Sequence, residues 1–168
     1  MKRTACALAP DVGGRRRGRQ SGAMMKTRQA TRSEFAHFME MGTRWSDNDA
    51  YGHVNNVVYY SFFDTTVNRH MIDAGALDTA TSAVVGLVVE TQCQYYSSIS
   101  YPDRVTVGLR VAHIGKSSVR YELGVFRNEE IVASAQGHYV HVYVDRASQT
   151  PVSIPTQVRA VLQTIVMA

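Results

Sequence analysis

The sequence is poor in cysteine and tryptophan and has no long apolar run. Its 168 residues include two cysteines, four prolines and one tryptophan. Cys6 and Cys93 cannot build a disulfide scaffold or a four-ligand zinc site, and they fit a reducing compartment. No stretch approaches the roughly eighteen apolar residues of a membrane span. The densest apolar stretch of the body, Ala83 to Val89, is short and interrupted by Gly86. Acids are scarce in one region only. Residues 1–32 hold nine Lys/Arg against Asp11, a charge of +8, whereas residues 33–168 hold nine Lys/Arg against thirteen Asp/Glu, a charge of −4. The net +4 is therefore a basic extension on a mildly acidic body, and such a body is a poor surface for a phosphate backbone. The expectation is a cytoplasmic protein with no membrane or nucleic-acid partner.

What is present is ordinary for a folded chain: 45% apolar and 19% charged residues, enough to bury a core in one domain. Residues 1–32 contain Arg15-Arg16-Arg17-Gly18-Arg19 and little apolar periodicity, and read as a disordered basic extension. A targeting segment and a nucleic-acid arm compete with the favoured reading, an upstream extension with Met24 or Met25 as an alternative start. Residues 33–168 then form a single domain.

Within that domain the period of the apolar pattern changes once. Residues 34–45 suit a first strand, followed by a polar turn from Ser46 to Gly52. Tyr59, Phe62, Phe63, Thr66, Val67, His70 and Met71 recur at three- and four-residue spacing, which predicts a long helix. Asn55 or Asn56 is its natural N-cap and Gly75 its natural stop. After it the period is two. Val84 to Tyr96, with a break at Gly86, Val105 to Val111, Val119 to Val125 and Ile131 to Val144 read as strands separated by tight turns. A short helix is expected after Pro155. Strands in series joined by tight turns are antiparallel, and one apolar helix against such a sheet is an α+β layer structure.

The segment Arg44-Trp45-Ser46-Asp47-Asn48-Asp49-Ala50-Tyr51-Gly52-His53-Val54-Asn55-Asn56 resembles the signature of hot-dog-fold acyl-CoA thioesterases, closest to the 4-hydroxybenzoyl-CoA thioesterase-like family. That pattern runs Asp-x-Asp-x-x-Gly-His-Val-Asn-Asn just before a long helix. Ile114 to Glu122 is similar to a hairpin common in the family, and Pro151 with Ile154-Pro155 matches its C-terminal end. The resemblance covers residues 34–165. It implies a hot-dog fold, a curved antiparallel β-sheet wrapped around one long central α-helix. It also implies a homodimer or homotetramer with active sites at the subunit interface. The implied activity is hydrolysis of coenzyme A thioesters without metal or cofactor, with Asp49 as the catalytic carboxylate.

The residues make chemical sense of that role. Thioester hydrolysis needs an activated water or a nucleophile, and charge stabilisation at the carbonyl oxygen. A carboxylate just upstream of a helix supplies the first and the unpaired amides opening the helix the second. Asp49 either attacks the carbonyl or deprotonates water. His53 and Asn55 complete the catalytic candidates, His53 against a backbone-bonding role and Asn55 against helix capping. Tyr59, Lys116, Ser117 and Ser118 are the substrate-binding candidates. Core packing competes at Tyr59, and turn or surface roles compete at the other three. Arg110 and Arg120 are further candidates for the phosphates of coenzyme A, and Glu90 is expected to face outward.

Other chemistries fail on particular residues. Asp47 to Gly52 imitates the start of an EF-hand loop, but Tyr51 stands at its fifth position and Val58 where a bidentate Glu is required. There is no Gly-x-Ser-x-Gly elbow, phosphate loop, dinucleotide fingerprint or His-Glu-x-x-His. The hydratases of the same fold use an Asp five residues before a His with a proline between. Here Asp49 precedes His53 by four, with none. The remaining alternative is a non-catalytic acyl-CoA-binding protein, a regulator or scaffold.

Overall fold

The computed structural model describes residues 28–167; the basic extension up to residue 27 lies outside them. The elements are β1 (His37–Gly42), α1 (Asn56–Asp73), β2 (Val84–Tyr95), β3 (Arg104–Ile114), β4 (Ser118–Arg127), β5 (Ala135–Asp145) and α2 (Thr156–Gln163). The five strands form one antiparallel sheet in the order β1-β3-β4-β5-β2, so β1 and β2 are its edges.

The long helix starts and stops where its capping residues dictate. The Asn55 side chain accepts the Val57 amide at 3.2 Å, and Gly75, at φ +67°, turns the chain away after Ala74. Tyr59, Phe62, Phe63, Thr66, Val67 and Met71 are the face it buries. Val105, Val107, Leu109 and Val111 of β3 and Val119, Tyr121, Leu123 and Val125 of β4 meet that face, all essentially inaccessible. On β5 the alternation also holds, and the side turned inward is Tyr139, His141 and Tyr143.

Two expectations are displaced. The break in β2 is a bulge at Val88–Glu90, not at Gly86, which stays in register opposite Tyr143. A Cβ at Gly86 would lie 2.7 Å from His141 Nδ1, so the glycine makes room for a ring rather than breaking the strand. The bulge switches which parity faces the helix. Val84, Gly86 and Val88 pair with Asp145, Tyr143 and His141; after it Thr91, Cys93 and Tyr95 pair with Tyr139, Gly137 and Ala135. Glu90 consequently points outward, 2.6 Å from His138 Nε2.

The first strand is also shorter than residues 34–45. Glu34 accepts the Thr31 amide and Asp47 the Arg44 amide, and each closes a 3-10 turn at one flank. Residues 28–32, grouped by charge with the extension, run beside the chain before β5: Arg32 N–H donates to Ile131 O and Ala133 N–H to Ala30 O. This strap carries Phe35 onto the outer face of the sheet. There a Cβ at Gly108 would lie 2.6 Å, and one at Gly124 2.7 Å, from the Phe35 ring.

Candidate active site

The loop before α1 is held by two carboxylates with different tasks. Asp47 is buried, and its oxygens accept the Arg44 amide at 2.7 Å, Arg44 Nε at 3.0 Å and Nη2 at 2.7 Å. Burial opposes its ionisation, but the Arg44 guanidinium and amide overcome it and hold the carboxyl below its usual range. Its carbonyl accepts the Asn55 amide at 2.8 Å, which ties the loop to the helix start.

Asp49 is half-buried. Its Oδ1 accepts the Tyr51 amide at 2.8 Å and the His53 amide at 3.3 Å, across a turn in which Gly52 takes φ +80°. Its Oδ2 has no partner among the described residues. Asp49, His53, Val54, Asn56, Tyr59 and the segment Tyr95–Ser98 line a cleft of about 320 Å³.

Not all the amides opening the helix are available. The His53 amide goes to Asp49, Val54 to Ile99 O, Asn55 to Asp47 O, Val57 to the Asn55 cap and Val58 to Asn55 O. The Asn56 amide alone in this stretch has no partner among the described residues, and Asn56 lines the cleft with Asp49. The first Asn of the doublet caps the helix and the second leaves its N–H free. Counting capped amides along Asn55-Asn56 would have singled it out in the sequence.

Tyr59 forms part of the wall while remaining core: it is buried, edge-on to Tyr95 at 5.0 Å, and burial pushes its hydroxyl up to about 12. Tyr95 donates its hydroxyl to Asn56 O at 3.2 Å. Tyr95, Ser97 and Ser98 carried no signal in the sequence, because their place depends on a strand that follows the helix.

The structure thus gathers Asp49, His53 and Tyr59 in one cleft and uses Asn55 as the cap beside it. Lys116, Ser117 and Ser118 do not join them within one chain. They form the β3–β4 turn, where Lys116 O accepts the Ile154 amide and Ser117 O the Tyr143 amide. Arg110 and Arg120 lie on the outer face, bonded to Glu122 at 2.7 Å and Glu90 at 3.5 Å. The cleft of about 400 Å³ there is lined by charges of both signs.

A second polar cluster was missed in the sequence. Asp64, on the exposed side of α1, accepts the Tyr139 hydroxyl and Asn68 Nδ2. Beside Tyr139, burial pushes the His141 imidazole down to about 4, with Asp64 acting weakly in the other direction. Among the described residues no group of three His, Cys, Asp or Glu is placed to hold a metal ion, and no helix is long and apolar enough to cross a membrane.

One long helix packed on a five-stranded antiparallel sheet, with a carboxylate loop at the helix entrance, is the hot-dog architecture. The chain belongs to the thioesterase-like superfamily, whose model matches residues 43–162. It is similar to the PA5185 protein of Pseudomonas aeruginosa strain PAO1, at 46% identity over 84% of this chain and 99% of that one, with a TM-score of 0.82. Slr0204, a 1,4-dihydroxy-2-naphthoyl-CoA thioesterase from Synechocystis, shares the fold at 12% identity, covering 75% and 94% of the two chains with a TM-score of 0.69. BH1999, a gentisyl-coenzyme A thioesterase, does so at 20% identity, covering 75% and 99% with a TM-score of 0.66. No curated protein matches the chain.

Proposed function

We propose that this chain is an acyl-CoA thioesterase whose reaction is carried out between Asp49 and the Asn56 amide. One observation carries the reading. Asp49 and Asn56 line the same cleft, and the Asp49 Oδ2 and the helix-opening Asn56 N–H are both without partners among the described residues. A thioester carbonyl whose oxygen meets the Asn56 N–H presents its carbon to Asp49 Oδ2. As general base, Asp49 takes a proton from water while the water oxygen bonds to that carbon. The tetrahedral intermediate then expels the thiolate, which takes the proton back. As nucleophile, Oδ2 bonds to the carbon directly, the thiolate leaves, and water hydrolyses the anhydride. The amide serves the oxyanion in both routes, and such a donor contributes about 3–4 kcal/mol to the transition state. The two bonds to Asp49 Oδ1 fix the carboxylate so that its other oxygen is the reactive one. Water is the only co-reactant.

Assembly as a homodimer or homotetramer goes with this reading. The edge strand β2 exposes Leu87, Val88 and Val89 at 41, 46 and 59%, an apolar edge suited to a second copy. The test is thiol release across a panel of acyl-CoA and acyl-carrier-protein thioesters by wild type and Asp49→Asn. The expected loss is about a thousandfold, with an unchanged circular dichroism spectrum. Equal rates on every accepted substrate would remove Asp49 from the mechanism. Binding of acyl-CoA without turnover by wild type would favour the non-catalytic alternative.

A further inference from the structure

Beside the candidate site stands an aromatic pair that the fold does not use. Trp45 is 79% exposed and Tyr101 44%, yet their rings meet edge to face with centroids 6.0 Å apart. Large rings are expected inside, and two held together outside present a ready stacking surface. Both belong to the framework of the cleft. Trp45 opens the turn that closes on Asp47, directly before Asn48 and Asp49. The Tyr101 amide donates to Asn48 Oδ1 at 3.1 Å. Tyr101 ends the segment whose other end, Tyr95–Ser98, is the cleft wall. Two residues separate Ser98 from Tyr101, so the Tyr101 backbone lies within about 11 Å of that wall.

A cation is held at the same corner. Arg44 precedes Trp45 in the chain. Its side chain is 74% exposed, but Nε and Nη2 are both bonded to the buried Asp47, which fixes the plane of the guanidinium. Nη1 has no partner among the described residues. An exposed arginine pinned in this way offers its remaining N–H groups to an anion with little further loss of side-chain freedom. Arg104, opposite Gly42 in the β1–β3 ladder, adds an exposed charge whose contact with Glu129, at 3.8 Å, is loose.

We infer that the Trp45–Tyr101 pair with Arg44 is the subsite for the nucleotide end of coenzyme A, the adenine stacking on the rings and a phosphate meeting the guanidinium. This rests on the acyl-CoA reading above. The flexible pantetheine arm is long enough to span from the thioester at Asp49 to this corner. The subsite differs from the one expected in the sequence, since Arg110 and Arg120 line the cleft on the outer face of the sheet and not the one at Asp49. A recognition surface of this kind binds the part of the substrate that every acyl-CoA shares, and leaves the acyl group to the cleft.

Trp45 is the sole tryptophan, so intrinsic fluorescence reports on this surface directly. Coenzyme A and adenosine 3′,5′-bisphosphate are each expected to quench its emission saturably, and pantetheine is not. In Trp45→Leu the KM for an acyl-CoA, divided by the KM for the same acyl group on pantetheine, should rise about tenfold with kcat little changed. That is ~1.4 kcal/mol, within the range of stacking one base on one aromatic ring. Arg44→Gln should raise the same ratio. Quenching by pantetheine equal to that by coenzyme A overturns the inference. So does emission unmoved by coenzyme A while the Asp49-dependent hydrolysis persists. A shift of emission with protein concentration in the absence of ligand assigns the pair to a second copy and also overturns it. If wild type hydrolyses neither acyl-CoA nor acyl-pantetheine, the thioesterase reading itself fails, and if coenzyme A then also leaves the emission unmoved the nucleotide subsite fails with it.

Discussion

Replacing Asn56 by proline removes the backbone N–H together with the side chain, and Asn56→Ala removes the side chain alone. Asn56 is the first residue of α1, the position at which proline is favoured, because its fixed φ suits a helix start and its absent N–H is one the helix does not use. The residue before a proline must be extended, and Asn55 already is, at φ −58° and ψ 139°. The Asn56 carbonyl that receives the Tyr95 hydroxyl is retained, and the cap between Asn55 and Val57 is untouched. The native amide has no partner among the described residues, so no fold-stabilising bond is lost. The whole effect should fall on the reaction. Loss of one oxyanion donor corresponds to about 2.7–4 kcal/mol, a fall in kcat of roughly a hundred- to a thousandfold. Asn56→Ala keeps the amide and removes the side chain, and should stay within about threefold of wild type, since no transition-state donor is lost. The assay is thiol release at saturating substrate, with thermal unfolding of each variant as the control. A well-folded Asn56→Pro with the wild-type kcat would refute the assignment of this amide.

Other consequences concern the fold. His141 is buried and its imidazole is pushed down to about 4 from an ordinary 6.5. It stays neutral in the fold but takes a proton in the unfolded chain, so its contribution is complete above pH 6.5 and is lost as the pH falls toward 4. Urea unfolding at pH 7 and 4.5 should differ by about 2–3 kcal/mol from this group, and that part should vanish in His141→Gln. An equal acid sensitivity in His141→Gln would contradict it. Phe35→Ala should destabilise the domain by about 3 kcal/mol, because it empties the dent over Gly108 and Gly124. A loss under about 1 kcal/mol, measured by chemical denaturation, would show that the strap carries little of the stability.

Much of this architecture was legible because local signals agreed with one another. The spacing from Tyr59 to Met71 and the caps at Asn55 and Gly75 bounded α1 to within a residue or two. Simple alternation placed β3 and β4. Reading failed where a distant partner decides the outcome. The parity of β2 depends on a bulge that exists only in the pairing with β5. Residues 30–32 are ordered by Ile131 and Ala133, about a hundred positions away, so charge alone assigned them to the extension. At the site, the motif led to Asp49 and His53, which are local to one loop. It did not lead to Tyr95–Ser98, which arrive from another element, nor to the Asp64–Tyr139 contact across 75 residues. Lys116, Ser117 and Ser118 suit a substrate arm by residue type, and within one chain the topology sets their turn against α2.

Whether Asp49 and the Asn56 amide serve one transition state is tested most directly by a double-mutant cycle. Single-turnover rates on one acyl-CoA would be compared for wild type, Asp49→Asn, Asn56→Pro and the double variant. Removing the base leaves the oxyanion donor its own share of the transition-state stabilisation, so the double variant is expected to be slower than either single one, and each single one far slower than wild type. Either single substitution without effect on that rate would mean that carboxylate and amide do not meet at the same acyl carbon.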